Sequence, residues 1–324
     1  MKNSMDYSLI DLKKTFKILK NSVYCNVKGC YCIDSKIEGP CVGITIMTHG
    51  NEPSGLAAFR YFLDNNIFPE KGKIIFIINN IKAAENFFCA ANNSERDVCR
   101  FVDINFNRLP ENCLDITSDQ YEIKRIKEVY PIYTLFDFGL DIHSTRTDPR
   151  PLIINISDDL SHGLFSGFPN EMVDIIANMA FIQTGIPASS LFGGKEKSIP
   201  ILGIETGIHT AERAFQIAIL CTLAFCRNCG VLFHSTKNKK KKWYQVYKVM
   251  SSVFYPDESF KTIRDFKAFE ELTLDTVLGI NDMGQKIFAP IEGLSLFGNK
   301  NGHKPKTSND EEFFIVNKSY RILR

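Results

Sequence analysis

Long apolar runs are missing from this chain of 324 residues. The longest, Ala214 to Cys226, is broken by Gln216 and Thr222. It falls short of the roughly 20 residues that a membrane span needs, so it reads as a buried helix and no membrane partner is expected. An excess of either charge is missing too, since 39 Lys and Arg nearly cancel 37 Asp and Glu and leave a formal +2. That balance argues against a nucleic-acid partner, and much of the residue of positive charge sits in one short lysine run at 237–242, which reads as a solvated linker. The first twenty residues lack the continuous apolar core of a secretory signal, so export is not expected. Ten cysteines are therefore expected as reduced thiols in the cytosol. Cys226-Arg-Asn-Cys229 has half the spacing of a zinc knuckle, but no second pair follows, and buried or incidental cysteines are the better reading. Internal repeats are absent.

What is present is an ordinary globular composition, 44% hydrophobic and 23% charged, at a length that suits about two domains. Short, almost wholly apolar strands are expected at Val42 to Met47, Lys73 to Ile78, Phe136 to Ile142, Leu152 to Ile156 and Pro200 to Glu205. Helical patterns alternate with them at Leu56 to Leu63, Ala83 to Asn92, Ser118 to Val129, Glu171 to Thr184 and Ala211 to Cys226. Strands apolar on both sides, separated by helices, imply an α/β fold with a mainly parallel or mixed sheet covered by helices on both faces. After Gly230 the character changes. The lysine run is followed by strand-like alternation at Trp243 to Val249 and by turn signals at Asn281-Asp282, Glu292-Gly293, Gly298-Asn299 and Asn301-Gly302. A catalytic domain over 1–236 and a smaller β-rich domain over 243–324 follow from that break.

Open α/β sheets bind ligands beyond the carboxyl ends of their strands. Three polar residues close apolar runs there: His49, His143 and Glu205. His49 and Glu52 stand three apart in a turn, so an imidazole and a carboxylate can converge on one cation. Asp141-Ile-His143-Ser-Thr145 presents a second histidine at another strand end. Two histidines and one glutamate form the open three-ligand site of hydrolytic zinc enzymes, which leaves a place for water. Such chemistry also needs a base, and Glu205, closing its own strand and followed by Gly207, is the candidate.

The motifs together resemble the succinylglutamate desuccinylase and aspartoacylase family, a branch of the zinc carboxypeptidase-like fold. His49-Gly-Asn-Glu52-Pro-Ser-Gly55 is similar to its first zinc motif and Asp141-Ile-His143-Ser to its second. Asn80-Ile-Lys-Ala83 is similar to its Asn-Pro-x-Ala turn, with Ile81 in place of proline. Arg100 to Arg108 matches its Arg-x6-Asn-Arg segment, and Ile204-Glu205-Thr-Gly207 its catalytic glutamate. Order and intervals agree over about residues 40–230. The resemblance implies one zinc ion per chain on His49, Glu52 and His143, with Glu205 as acid and base. It also implies Arg100 near the scissile carbonyl, and Asn107 with Arg108 on a substrate carboxylate, a role that suits the two parallel hydrogen bonds of a guanidinium. The expected activity is hydrolysis of the amide of a small N-acyl amino acid.

Two departures accompany the match. Asn105 stands where the family commonly has aspartate, so an orienting contact is expected to be lost or supplied by Asp103. The family's further arginine ahead of the catalytic glutamate has no counterpart. Lys195 and Lys197 lie there instead, and Arg146 and Arg150 are alternative cations for the acyl side. The other histidines, 162, 209, 234 and 303, are expected in supporting or surface positions. A peptide-cleaving zinc carboxypeptidase and a metal-containing binding protein without turnover are the rival readings.

Overall fold

The computed structural model describes residues 5–146, 150–155, 160, 163–177, 185–195, 197–233, 242–254, 259–296 and 311–323. In chain order the elements begin with α1 (Leu9–Asn21), β1 (Val23–Tyr24), β2 (Val27–Lys28), β3 (Cys30–Asp34), β4 (Cys41–Ile46), α2 (Ser54–Asp64) and β5 (Lys73–Ile78). They continue with α3 (Ile81–Cys89), α4 (Asn93–Asp97), α5 (Tyr121–Tyr133), β6 (Phe138–Thr145), β7 (Leu152–Asn155), β8 (Asp174–Ala177), β9 (Ile201–Ile208) and α6 (Glu212–Asn228). The remaining strands are β10 (Trp243–Phe254), β11 (Lys261–Thr262), β12 (Glu271–Leu272), β13 (Val277–Ile280), β14 (Lys286–Phe288), β15 (Gly293–Leu296) and β16 (Glu311–Leu323).

One mixed sheet dominates, in the order β12-β15-β16-β10-β8-β7-β9-β6-β4-β5-β3. Its centre, β5-β4-β6-β9, is parallel. The alternation along β5 shows why its sequence carries no polar face: Ile74, Phe76 and Ile78 pack into one core with α1, α2 and α6, while Ile75 and Ile77 enter a second core with α5. Both faces of the strand are dry, so both sets of side chains are apolar. The stretch Ala214 to Cys226 is the buried body of α6, as its composition implies. Beyond residue 242, β10 runs parallel to β8 and antiparallel to β16, so the last strands extend the central sheet. Strands β11, β13 and β14 form a separate small sheet. Most of the lysine run lies outside the described residues, but Lys242 is described, and its ammonium donates to the carbonyls of Phe168, Pro169 and Met172.

Two elements differ from expectation. Helix α1 begins at a capping box in which Ser8 and Asp11 bond each other's backbone N–H groups. Its buried Leu12, Thr15, Phe16 and Leu19 follow helical spacing within a segment that otherwise reads as mixed. The segment expected as a helix over Glu171 to Thr184 contains a strand instead: Asp174–Ala177 is β8, parallel to both β7 and β10. All four of its residues are buried. A short apolar run in the core has no polar face to reveal its period, so the choice between strand and helix falls to the neighbours. Residues 178–184 lie outside the described set.

The site is positioned by register. In the parallel centre Ile46 pairs with Ile142, Ile142 with Ile204, and His143 with Glu205. The carboxyl ends of β4, β6 and β9 therefore lie side by side, and the residues closing them share one crevice.

Candidate active site

After β4 the chain turns at Met47, a buried residue at φ 51°, and the His49 carbonyl accepts the Glu52 N–H at 3.2 Å to close the turn. Gly50 cannot carry a side chain there. A Cβ would stand 2.3 Å from the Ala83 carbonyl carbon and 2.4 Å from the Cys99 oxygen. The Gly50 N–H donates to the Arg100 carbonyl at 2.8 Å, which ties the first motif to the arginine segment. Asn80 caps α3, its Oδ1 accepting the Ala83 N–H at 3.0 Å, so the family-like turn is intact with isoleucine at position 81.

His49, Glu52 and His143 meet, all buried, with one ligand atom from each lying within 4.8 Å of the others. Glu52 stands between the rings: its Oε1 is 2.8 Å from His49 Nδ1 and its Oε2 is 2.8 Å from His143 Nδ1. The far nitrogens have separate partners. His143 Nε2 lies 2.9 Å from Asp141 Oδ2, which follows from strand geometry because residues two apart share a face. Asp141 is in turn held by the hydroxyls of Thr45 at 2.7 Å and Thr48 at 2.8 Å. Thr48 accepts from Asn79, whose side-chain oxygen accepts the Tyr133 hydroxyl. His49 Nε2 lies 3.1 Å from Asn105 Oδ1. The orienting contact expected to be lost at position 105 is therefore made by the amide. Asp103 does something else: it accepts the Tyr121 N–H at the start of α5.

These partners fix the tautomers. A backbone N–H can only donate, and that of Asn107 reaches Asn105 Oδ1 at 2.9 Å. The oxygen is thus the acceptor facing His49, whose Nε2 carries the hydrogen and whose Nδ1 presents a lone pair. Burial, with Arg100 next in effect, pushes the His49 pKa down to about 4, so the ring is neutral. Burial also opposes charging of His143, but Asp141 and Glu52 outweigh it and hold that ring well above the usual imidazole range. The charged His143 in turn outweighs the burial of Glu52 and holds its carboxyl well below the usual range. A neutral imidazole lone pair facing a carboxylate oxygen at 2.8 Å is an arrangement that a cation between them resolves. Two imidazoles and one carboxylate suit Zn²⁺, whose bonds of about 2.0–2.2 Å bring ligand atoms roughly 3–3.5 Å apart. The residues present fit the ion.

Glu205 overlooks this group. Its Oε2 is buried and has no hydrogen-bond partner among the described residues. Burial, followed by the Glu52 charge, pushes its pKa up to about 8. A carboxyl that exchanges a proton near neutrality is what a base requires. Next to it, Gly207 has φ 101°, a conformation that admits glycine and resists side chains. Arg100 donates its Nη1 to Glu52 Oε1 at 3.1 Å and is about a third exposed, so it borders the crevice. Asn107 Oδ1 is buried without a partner among the described residues, and the Arg108 guanidinium donates to the Asn107 carbonyl at 2.6 Å.

The four candidate acyl-side cations part company. Lys197 pairs with Asp137, just before β6 and so at the opposite end of the sheet. Lys195 lies 3.5 Å from Asp115. Arg150 lies 3.7 Å from Asp174 and covers the Phe269 ring. Arg146, three residues past His143, lies 3.3 Å from Asp97, and the Asp97 carbonyl also accepts from Asn51 in the first motif.

Several contributors had little signal in the sequence. Glu122, fully buried on α5, accepts from the backbone of Val102, Asp103 and Ile104 and from the Asn80 side chain, and so organises the segment between Arg100 and Asn107. An acid in the first turn of a helix is commonplace, which hides this role. His209 is buried too, its Nδ1 2.9 Å from the Ser144 hydroxyl, and burial pushes its pKa down to about 4. Histidines 162, 234 and 303 lie outside the described residues. Cys226 and Cys229 are buried free thiols, and among the described residues no metal-ligating group forms around them.

No protein-family profile and no curated protein sequence matches the chain. Solved structures do. Murine aminoacylase 3 superposes with a TM-score of 0.59 at 20% identity, covering 88% of this chain and 97% of that one. A succinylglutamate desuccinylase/aspartoacylase from Rhodobacter sphaeroides gives 0.58 at 16% identity over 88% and 87%. The succinylglutamate desuccinylase from Chromobacterium violaceum gives 0.62 at 14% identity over 98% of both chains. The resemblance carried by the short motifs thus extends to the whole architecture, and this chain has the fold of the succinylglutamate desuccinylase, aspartoacylase and aminoacylase 3 structures.

Proposed function

We propose that this protein is a zinc-dependent amidohydrolase that releases the amino acid from a small N-acyl amino acid. The observation that carries the reading is the convergence of His49, Glu52 and His143 within 4.8 Å beside the unpartnered Oε2 of Glu205. A divalent ion held by the three ligands would supply Lewis acidity to the amide carbonyl and to water. Glu205 takes a proton from the attacking water as the carbon–oxygen bond forms, then delivers it to the departing nitrogen as the carbon–nitrogen bond breaks. In this reading Arg100 faces the negative charge developing on the carbonyl oxygen, and Asn107 with Arg108 receives the substrate carboxylate. The ten free thiols suit a reducing cytosol, the compartment proposed here.

Metal analysis combined with a panel of N-acetyl and N-succinyl amino acids and short peptides tests the reading. The expected result is one zinc per chain and release of free amino acid from the acyl substrates, with Glu205→Gln retaining zinc and losing nearly all turnover. Full turnover in that variant would overturn the role of Glu205. Cleavage of peptides alone would favour the carboxypeptidase reading, and ligand binding without product the non-catalytic one.

A further inference from the structure

The two imidazoles of the site are backed by different chemistry. Behind His143 stands the carboxylate of Asp141, 2.9 Å from Nε2 and fixed by two threonine hydroxyls. Behind His49 stands the amide of Asn105, buried, 3.1 Å from Nε2 and oriented by the Asn107 N–H. Both oxygens accept the Nε2 hydrogen and turn Nδ1 towards Glu52. Only one carries charge.

We propose that Asn105 is the positioning residue that sets how tightly this site holds its divalent ion, by fixing the His49 tautomer without adding a negative charge. The inference rests on the metal-site reading above. Glu52 and Asp141 contribute two negative charges to the buried group, with the Arg100 guanidinium on Glu52 and the Glu205 carboxyl beside it. A carboxylate behind His49 would make that ligand more electron-rich and the pocket one charge more negative, so the ion would be bound more tightly and would polarise a carbonyl less. Removing the acceptor altogether would free the ring to take the other tautomer and turn an N–H towards the ion. The amide thus secures the ring while leaving the ion its electrophilic character. Because the same oxygen accepts the Asn107 N–H, it also joins the ion site to the segment proposed to bind the substrate carboxylate.

The test is the zinc dissociation constant of the full chain, measured by competition with a chromophoric chelator at one fixed pH, for the wild type, Asn105→Asp and Asn105→Ala. Asn105→Asp is expected to bind zinc about tenfold more tightly, and Asn105→Ala roughly 10–100-fold more weakly. A purely structural asparagine would weaken binding in both variants, so the sign of the aspartate effect is decisive. Asn105→Asp changes no volume and carries the test even if the alanine variant fails to fold. Binding by Asn105→Asp that is equal to or weaker than wild type overturns the proposal, as does an alanine variant within twofold of wild type. Failure of the wild type itself to bind zinc would instead defeat the metal-site reading on which the proposal stands.

Discussion

Replacing Glu205 with glutamine should stabilise the metal-free protein, and by an amount that depends on pH. Burial and the nearby Glu52 charge push this carboxyl from its ordinary 4.5 up to about 8. Between those values the native protein keeps a proton that the unfolded chain has already released. Because the native state binds more protons there, its stability falls as pH rises from about 4.5 towards 8. At about 1.4 kcal/mol per unit, the full shift corresponds to an upper bound of about 5 kcal/mol. Glutamine keeps the shape and removes the titration. Urea unfolding of the two metal-free proteins in parallel from about pH 5 to pH 9 reads the effect, since every other group titrates in both and cancels in the difference. The gap should be about 1 kcal/mol or less near pH 5 and should grow to several kcal/mol in favour of glutamine by about pH 8. Saturating zinc should narrow it, because a dication beside the carboxyl favours the charged form. A gap that stays constant across the range would refute the argument that Glu205 is held protonated by its surroundings.

Three further outcomes are expected. Asp141→Asn turns an amide N–H or a weaker acceptor towards His143 Nε2, which loosens the ring's tautomer, so zinc affinity by chelator competition should fall roughly 10–100-fold while the fold persists. Glu122→Gln removes one of the two buried oxygens that together accept four donors. Urea denaturation should show a loss of roughly 2–5 kcal/mol, and unchanged stability would mean that these hydrogen bonds do not organise the segment. Gly50→Ala drives a Cβ to within 2.3–2.5 Å of the Ala83 backbone and the Cys99 oxygen. Since backbone cannot step aside, a cost of about 1–3 kcal/mol or more and a loss of bound zinc are expected, checked by thermal melting and metal content.

How much of this was readable in advance depends on distance along the chain. The strand Lys73–Ile78, the buried helix over 212–228 and the turn from His49 to Glu52 are local facts, written in runs of apolar residues and in spacings of three. The grouping of His49, His143 and Glu205 was legible because each follows an apolar run of a strand, with Glu52 three residues past His49 in the turn, and parallel strands bring their carboxyl ends together. Nothing local says that Asn105 faces His49, that Glu122 gathers three backbone N–H groups, or that Lys197 points to the far end of the sheet while Arg146 stays near His143. Those outcomes depend on loops whose course is set by capping and by single hydrogen bonds across 19 to 60 residues. The strand at Asp174–Ala177, within a segment whose spacing suits a helix, is likewise decided at a distance, by its partners β7 and β10. Composition and period therefore determined the layers and the chemistry at the strand ends. Only the tertiary structure decided which neutral or charged group stands behind each imidazole, because that choice is made by register and loop closure, which no window of sequence contains.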